Sequence, residues 1–442
     1  MLRAAVGVLL LLGNTLYPRA QAANFKIAVV LPGETTADPT RRTVVQFVRF
    51  VLNWTLPILN QRLAAPAGHT FTLDYHDSLL TSRATVRESL IAAQSGAVAA
   101  IGEWFSSNTI PMSYAMSHYG IFLCSGSATS EEYGGATAAQ VQRRNLSDKT
   151  LHSKFFRTIT SDSYQGNVFS HALLHFGWEQ FNLLVVNNVY GISVAKVIQA
   201  DIQTRNVTIA AQYTQAFADP AEVRTTVADL AKSPSRIVFM AVHMEQAYAI
   251  MAEAFAQGFD SSWVWIASEP SSNIAAMLAE QTSPAAMPDR TYAASLRKFF
   301  EGMLVVWPEE LAVGDATFND WVQLYRATVG DSKILNFNYH LFSQTCLEAH
   351  MRAILKLDQT YGTNAVLRRT TNANLEEYLV SFNSSTGPVV FFQFLNMQGS
   401  KLVPAMSIDS QFRISPLPGR DAAFFREHDR DLAMAARGSS ST

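Results

Sequence analysis

Hydroxyl side chains gather in two short runs. Gly102-Glu103-Trp104-Phe105-Ser106-Ser107-Asn108 follows an apolar stretch and opens a segment of helical pattern, and Ser125-Gly126-Ser127-Ala128-Thr129-Ser130 follows the next apolar stretch. The first turn of a helix has amides without an intrahelical partner, and serine hydroxyls beside them suit a carboxylate. Asn108 is expected to cap that helix, with Pro111 in its first turn. A capped helix with a polar lead-in, or ordinary turn composition, accounts for the same residues. Catalytic patterns are missing: there is no phosphate loop, G-x-G-x-x-G, H-E-x-x-H or G-x-S-x-G. No catalytic residue and no cofactor is therefore expected. His171 and His175 have the i,i+4 spacing of a metal pair, but no third ligand is near in sequence, so they read as a surface or half-buried pair and no metal site is expected.

These runs need elements to carry them. Apolar strands are expected over 25–31, 71–75, 98–101 and 121–124, alternating with helices over 41–61, 85–94 and 109–119. Residues 125–154 read as a long surface loop. The alternation then resumes, with strands over 155–158, 181–186, 207–213, 237–242 and 264–267 and helices over 162–176, 194–204, 221–232 and 246–257. Strands apolar on both faces and separated by helices indicate parallel sheets covered on each side, a doubly wound α/β layout. Two such units in succession make the chain bilobal. Further on, strands are expected over 302–306, 389–395 and 401–406, and helices over 317–328, 342–357 and 375–382. The polar stretch 416–442 reads as a tail or linker.

The chain has 442 residues, 34 basic and 36 acidic, a net charge of −2, and 48% hydrophobic residues. Without a basic surplus to replace phosphate counterions, nucleic acid is not an expected partner. Arg3, the apolar run 4–12 and Ala20-Gln21-Ala22 have the pattern of a signal peptide over 1–22. That run is shorter than the roughly 20 apolar residues a membrane span needs. The expected location is secreted or cell-surface, on the extracellular side. Asn53, Asn145, Asn206 and Asn383 head N-glycosylation sequons. Cys124 and Cys346 read most simply as buried thiols, although an oxidising compartment would allow one bridge.

Phe155-Phe156-Arg157-Thr158-Ile159-Thr160-Ser161-Asp162, Gln165, Phe176-Gly177-Trp178 and Tyr190-Gly191 together resemble a known family. It is the ligand-binding region of class C G-protein-coupled and natriuretic-peptide-type receptors, similar to bacterial leucine/isoleucine/valine-binding proteins. Ser127-Ala128-Thr129-Ser130, Val264-Trp265-Ile266-Ala267-Ser268-Glu269 and Thr386-Gly387-Pro388-Val389 extend the likeness. The resemblance implies a type I periplasmic-binding-protein-like fold: two doubly wound lobes joined by a multi-strand hinge. Lobe 1 would comprise 24–155 and 305–390, and lobe 2 would comprise 156–304 and 391–415.

It also implies that Ser106, Ser107, Ser127 and Thr129 hold the acid end of an amino-acid-like ligand. Tyr190 would meet that ligand from lobe 2, Glu245 or Glu269 would pair its ammonium, and Tyr190 or Trp104 would lay a ring against it. Ala128 departs from the family, whose amino-acid receptors often carry a hydroxyl there. The implied function is a receptor's extracellular ligand-binding region that closes like a clamshell. A membrane-bound signalling partner and a dimer through lobe 1 would go with it. The alternative is a secreted solute-binding protein that delivers amino acids or similar solutes to a transporter.

Overall fold

A computed structural model of the chain describes residues 22–33, 39–131, 145–308, 327, 339–379, 392–398, 401–409 and 411–416. The expected signal peptide (all but its last residue), the helix 317–328 (all but one residue), Thr386 to Val389, the sequon at Asn383 and nearly all of the tail lie outside the described residues.

The first half alternates β1 (Asn24–Leu31), α1 (Pro39–Leu59), β2 (Thr70–Asp77), α2 (Ser82–Gln94), β3 (Ala97–Gly102), α3 (Ser106–His118), β4 (Phe122–Ser125) and β5 (Phe155–Arg157). These strands form a five-stranded, all-parallel sheet in the order β2-β1-β3-β4-β5. Every residue of β3 and β4 is buried, as expected of strands covered on both faces.

The chain continues through α4 (Asp162–His175), β6 (Gln180–Val186), α5 (Val189–Ile202), β7 (Thr208–Gln215), α6 (Pro220–Leu230), β8 (Ile237–Ala241), α7 (Met244–Ala256) and β9 (Val264–Ala267). Two helices that the sequence reading did not foresee follow, α8 (Ile274–Gln281) and α9 (Arg290–Phe300), and then β10 (Leu304–Pro308). The long α10 (His340–Tyr361) packs on α1, β3 and β4 of the first sheet, and the short α11 (Thr363–Leu367) and α12 (Leu375–Tyr378) follow it. Finally β11 (Phe392–Gln398), β12 (Lys401–Ile408) and β13 (Ile414–Pro416) complete an eight-stranded sheet, ordered β13-β12-β11-β10-β9-β8-β6-β7.

That second sheet is parallel from β7 to β10 and antiparallel from β10 to β13. The antiparallel ribbon departs from the purely parallel expectation. Only two residues separate Gln398 from Lys401, and so short a connection can join only antiparallel neighbours.

Each sheet has its own core. Phe25, Ile27 and Val29 of β1 pack with Val48 and Leu52 of α1 and with Leu347, Met351 and Ile354 of α10. In the second, Phe169, Phe181 and Phe239 pack ring to ring, the last two within 5.0 Å of the first. Cys124 of β4 and Cys346 of α10 are bridged, with Cα atoms 5.6 Å apart, so neither is the free thiol of the simpler sequence reading. The bridge closes a separation of 222 residues. A constraint on so long a loop contributes about 5 kcal/mol in the chain-entropy account.

The expected surface loop after β4 also departs from the reading: Ser125, Ser127, Ala128, Thr129, Ser130 and Glu131 are all buried. Asn53 and Asn206 are exposed, whereas Asn145 is only 6% exposed and its Oδ1 accepts the Ser147 amide. Among the described residues, no helix is long and apolar enough to cross a membrane.

Candidate functional site

The first wall of the site begins where β3 ends. At Gly102, with φ +131°, a Cβ would sit 2.0 Å from the Val30 carbonyl oxygen, so only glycine allows β3 to pass β1 this closely. Glu103, next in the chain, is fully buried. Its carboxylate accepts from Ser78 Oγ at 2.6 Å, from the Phe105 amide at 2.8 Å and from Asn108 Nδ2 at 3.4 Å. Burial pushes this carboxyl above the usual range, and the three donors oppose that shift.

Helix α3 starts at Ser106, three residues before the apolar pattern suggested, so Asn108 lies inside the first turn and does not cap it. Pro111 is likewise inside the helix and not in its first turn. Proline has no N–H, which frees the Ser107 carbonyl, and Ser82 Oγ, with one proton to give, lies 3.2 Å from that oxygen and 2.9 Å from Asn108 Oδ1.

The second serine run is fastened to the first. Ser125 Oγ donates to the Glu103 carbonyl at 2.9 Å, Ser127 Oγ donates to the Trp104 carbonyl at 3.1 Å, and Ser106 Oγ accepts the Ser130 amide at 3.2 Å. The hydroxyls of Ser106 and Ser127 thus hold the wall together, while Ser107 is exposed. Thr129 does not reach the cleft. It is buried beside Asp162, whose carboxyl burial pushes up to about 6 against the opposing pull of Ser193, Thr129 and Arg157.

The second wall comes from the ends of β6, β8 and β9. Asn188 caps α5 through its Oδ1, which accepts the Gly191 amide at 3.0 Å, and its Nδ2 lies 3.0 Å from His243 Nε2. A Cβ on Gly191 would meet the Val186 carbonyl oxygen at 2.2 Å, the physical reason for a glycine after Tyr190. The Tyr190 hydroxyl donates to Glu269 Oε2 at 2.7 Å and lies 3.1 Å from Gln165 Oε1, while Gln165 Nε2 donates to the same Glu269 oxygen at 2.6 Å. Burial, reinforced by the nearby Asp162, pushes the Glu269 carboxyl up to about 8 despite those two donors. The Tyr190 hydroxyl is also raised, first by burial and then by the two acids.

The walls meet across a cleft of ≈ 780 Å³ at the carboxyl ends of the strands. Trp104, Ser106, Ser107 and Ser127 line it from the first wall, and Tyr190, Glu245 and Glu269 line it from the second. Seven of the eight ligand residues expected from sequence therefore share one space, and Thr129 is the exception. The Phe105 ring meets the His243 ring edge-on at 5.5 Å, and His243 stacks on Tyr190 at 5.6 Å. Tyr339, just before α10, brings its ring to 6.0 Å from Trp104.

Sequence reasoning passed over Asn188, Asn273 and Tyr339. An Asn placed before a helical run would have shown the first, but no local pattern marks the other two. Among the described residues, no group of three or more His, Cys, Asp or Glu side chains is arranged to hold a metal ion.

A family model described as the receptor family ligand binding region matches residues 54–399. The chain belongs to that family. Its fold is the periplasmic-binding-protein-like type I arrangement, here the two α/β sheets with the cleft between them. This ligand-binding region is also 28% identical over 128 residues to a metabotropic glutamate receptor of Drosophila melanogaster, a class C receptor. The match covers 28% of this chain and 13% of that receptor, so the chain spans a small part of that relative's length.

Proposed function

We propose that the cleft binds a small amino-acid-like molecule and that the two lobes close on it, as the extracellular sensing region of a membrane receptor. One observation carries this reading: an exposed serine at a helix N-terminus and a buried acid with its own hydrogen-bond donors line the same cleft. Ser107 and the first amides of α3 suit a carboxylate, because they present donors and the positive end of a helix dipole. Glu269, held by Tyr190 and Gln165, suits an ammonium, which would offset the cost of ionising a buried acid. Glu245 stands beside it in the lining, and the faces of Tyr190 and Trp104 offer the attraction of aromatic rings for a cation.

A ligand docked on the first wall gains the contacts of the second only when the lobes approach, and that difference drives closure. Lobe 1 would comprise 24–155 and 305–390, and lobe 2 would comprise 156–304 and 391–415, with glycans on Asn53 and Asn206. A dimer through lobe 1 and a membrane-bound signalling partner belong to the same reading.

The test is a thermal-shift screen of the secreted protein against the common amino acids and simple amines. A ligand at 100 times its Kd adds about 2.7 kcal/mol of stability and raises the melting temperature. The shift should disappear in Ser107→Ala and in Glu269→Gln. If no compound raises the melting temperature, or if the rise survives both substitutions, the reading is wrong.

A further inference from the structure

We infer that a signal peptidase cuts between Ala22 and Ala23, and that the amine so created on Ala23 docks as an ammonium on a buried His69–Asp358 pair and stabilises the first lobe. This inference uses the export pattern and does not rest on the reading of the cleft. Ala20-Gln21-Ala22 puts small residues at the first and third positions before a cut, which sets the scissile bond at Ala22–Ala23. In the fold Ala22 is exposed, while Ala23 is half-buried immediately before β1. The Ala23 nitrogen donates to His69 Nδ1 at 3.2 Å, and its carbonyl accepts the Thr70 amide at 2.9 Å. The atom that the peptidase would free is thus already bonded inside the lobe.

The charges argue for an ammonium. Because His69 Nδ1 accepts a hydrogen bond, the ring proton sits on Nε2, which lies 3.0 Å from Asp358 Oδ2, and the imidazole is neutral. The Asp358 carboxylate therefore gains no positive charge from this pair, although both residues are buried. Among the described residues its Oδ1 is buried with no hydrogen-bond partner. A buried carboxylate in that state is costly. Cleavage adds water across the Ala22–Ala23 bond, leaves a carboxylate on Ala22 and passes its proton to the Ala23 amine, which becomes an ammonium. In the precursor the Ala23 nitrogen is a neutral amide. In the mature chain it is a cation joined through the imidazole to the carboxylate, ammonium to Nδ1 and Nε2–H to Oδ2. His69 precedes β2 and Asp358 lies in α10, so the new charge ties together three segments distant in sequence.

The test begins with the amino terminus of the secreted chain, which mass spectrometry should place at Ala23. A glycine inserted between Ala22 and Ala23 carries the ammonium one residue farther out and returns an amide to Ala23; the mass of the product confirms that the cut still follows Ala22. In denaturant unfolding, this Gly-extended chain should show an equilibrium constant about tenfold larger than the secreted chain, as expected for one lost charge-assisted hydrogen bond. In an Asp358→Asn background the same extension should change that constant by no more than about twofold, since the asparagine keeps an acceptor for Nε2–H without the charge. If Asp358→Asn does not fold, acetylation of the terminal amine decides. The secreted chain should be labelled several times more slowly than the Gly-extended chain, because its amine is half-buried and hydrogen-bonded. A secreted chain that starts at another residue, an extension without effect on unfolding, an equal effect in the native and Asp358→Asn backgrounds, or equal acetylation rates would each overturn the inference.

Discussion

Burial, reinforced by Asp162, pushes the Glu269 carboxyl up to about 8, because together they disfavour the charge more than Tyr190 and Gln165 favour it. A carboxyl in an unfolded chain releases its proton near 4.5. The folded state therefore binds more proton between these values, and stability is greatest below the lower one and falls as pH rises through the window. Relative to Glu269→Gln, the native chain should lose up to about 5 kcal/mol between pH 4.5 and 8, measured by denaturant unfolding at several pH values. Binding of an ammonium-bearing ligand should follow the opposite slope. Calorimetry between pH 6 and 8 should show affinity rising with pH in the native chain and no binding at either pH in Glu269→Gln.

The elements that carry the site are finished by side chains that lie elsewhere in the sequence. Helix α3 carries Pro111 in its interior, and Ser82, on the preceding helix, ties down its first turn by sharing one proton between Asn108 Oδ1 at 2.9 Å and the Ser107 carbonyl that the proline leaves open at 3.2 Å. Ser82→Ala should destabilise the fold by about 1 kcal/mol, read from the urea midpoint. Helix α5 depends on its Asn188 cap, and Asn188→Ala should cost about 1 kcal/mol in the same measurement. Since Asn188 also lies against His243, that variant should weaken ligand binding at the cleft as well.

Across the whole molecule, α10 belongs to the first sheet's core although the chain reaches it only after passing through most of the second sheet. The Cys124–Cys346 bridge ties that returning helix to β4. Replacing both cysteines with serine should cost about 2–5 kcal/mol, seen as a lower denaturant midpoint. Closure on a ligand is a change of overall dimension, and small-angle scattering should show the radius of gyration falling when an amino acid that raises the melting temperature is added. An unchanged radius would separate binding from closure.

Much of the architecture could be read locally. Apolar runs such as 25–31 and 98–101 are buried almost throughout, so their composition alone marks covered parallel strands, and the serines after β3 announce a turn beside a helix start. The helices 274–281 and 290–300 were not foreseen from sequence. The partner of each polar group could not be read at all. Ser106 and Ser127 are hydroxyls of the same kind as Ser107, yet Ser127 gives its proton to the wall, Ser106 is buried accepting from it, and only Ser107 is exposed, while Thr129 turns away toward Asp162. Sequence on its own determined the alternating elements, the bilobal layout and the serine runs at strand ends, because propensity and hydrophobic period act over a few residues, whereas Tyr190, Glu245 and Glu269 were expected at the cleft only through the family resemblance. Tertiary structure decided which hydroxyls remain available, that the two cysteines meet, and that Glu269 keeps its proton, because hydrogen-bond partners and desolvation depend on atoms far away along the chain.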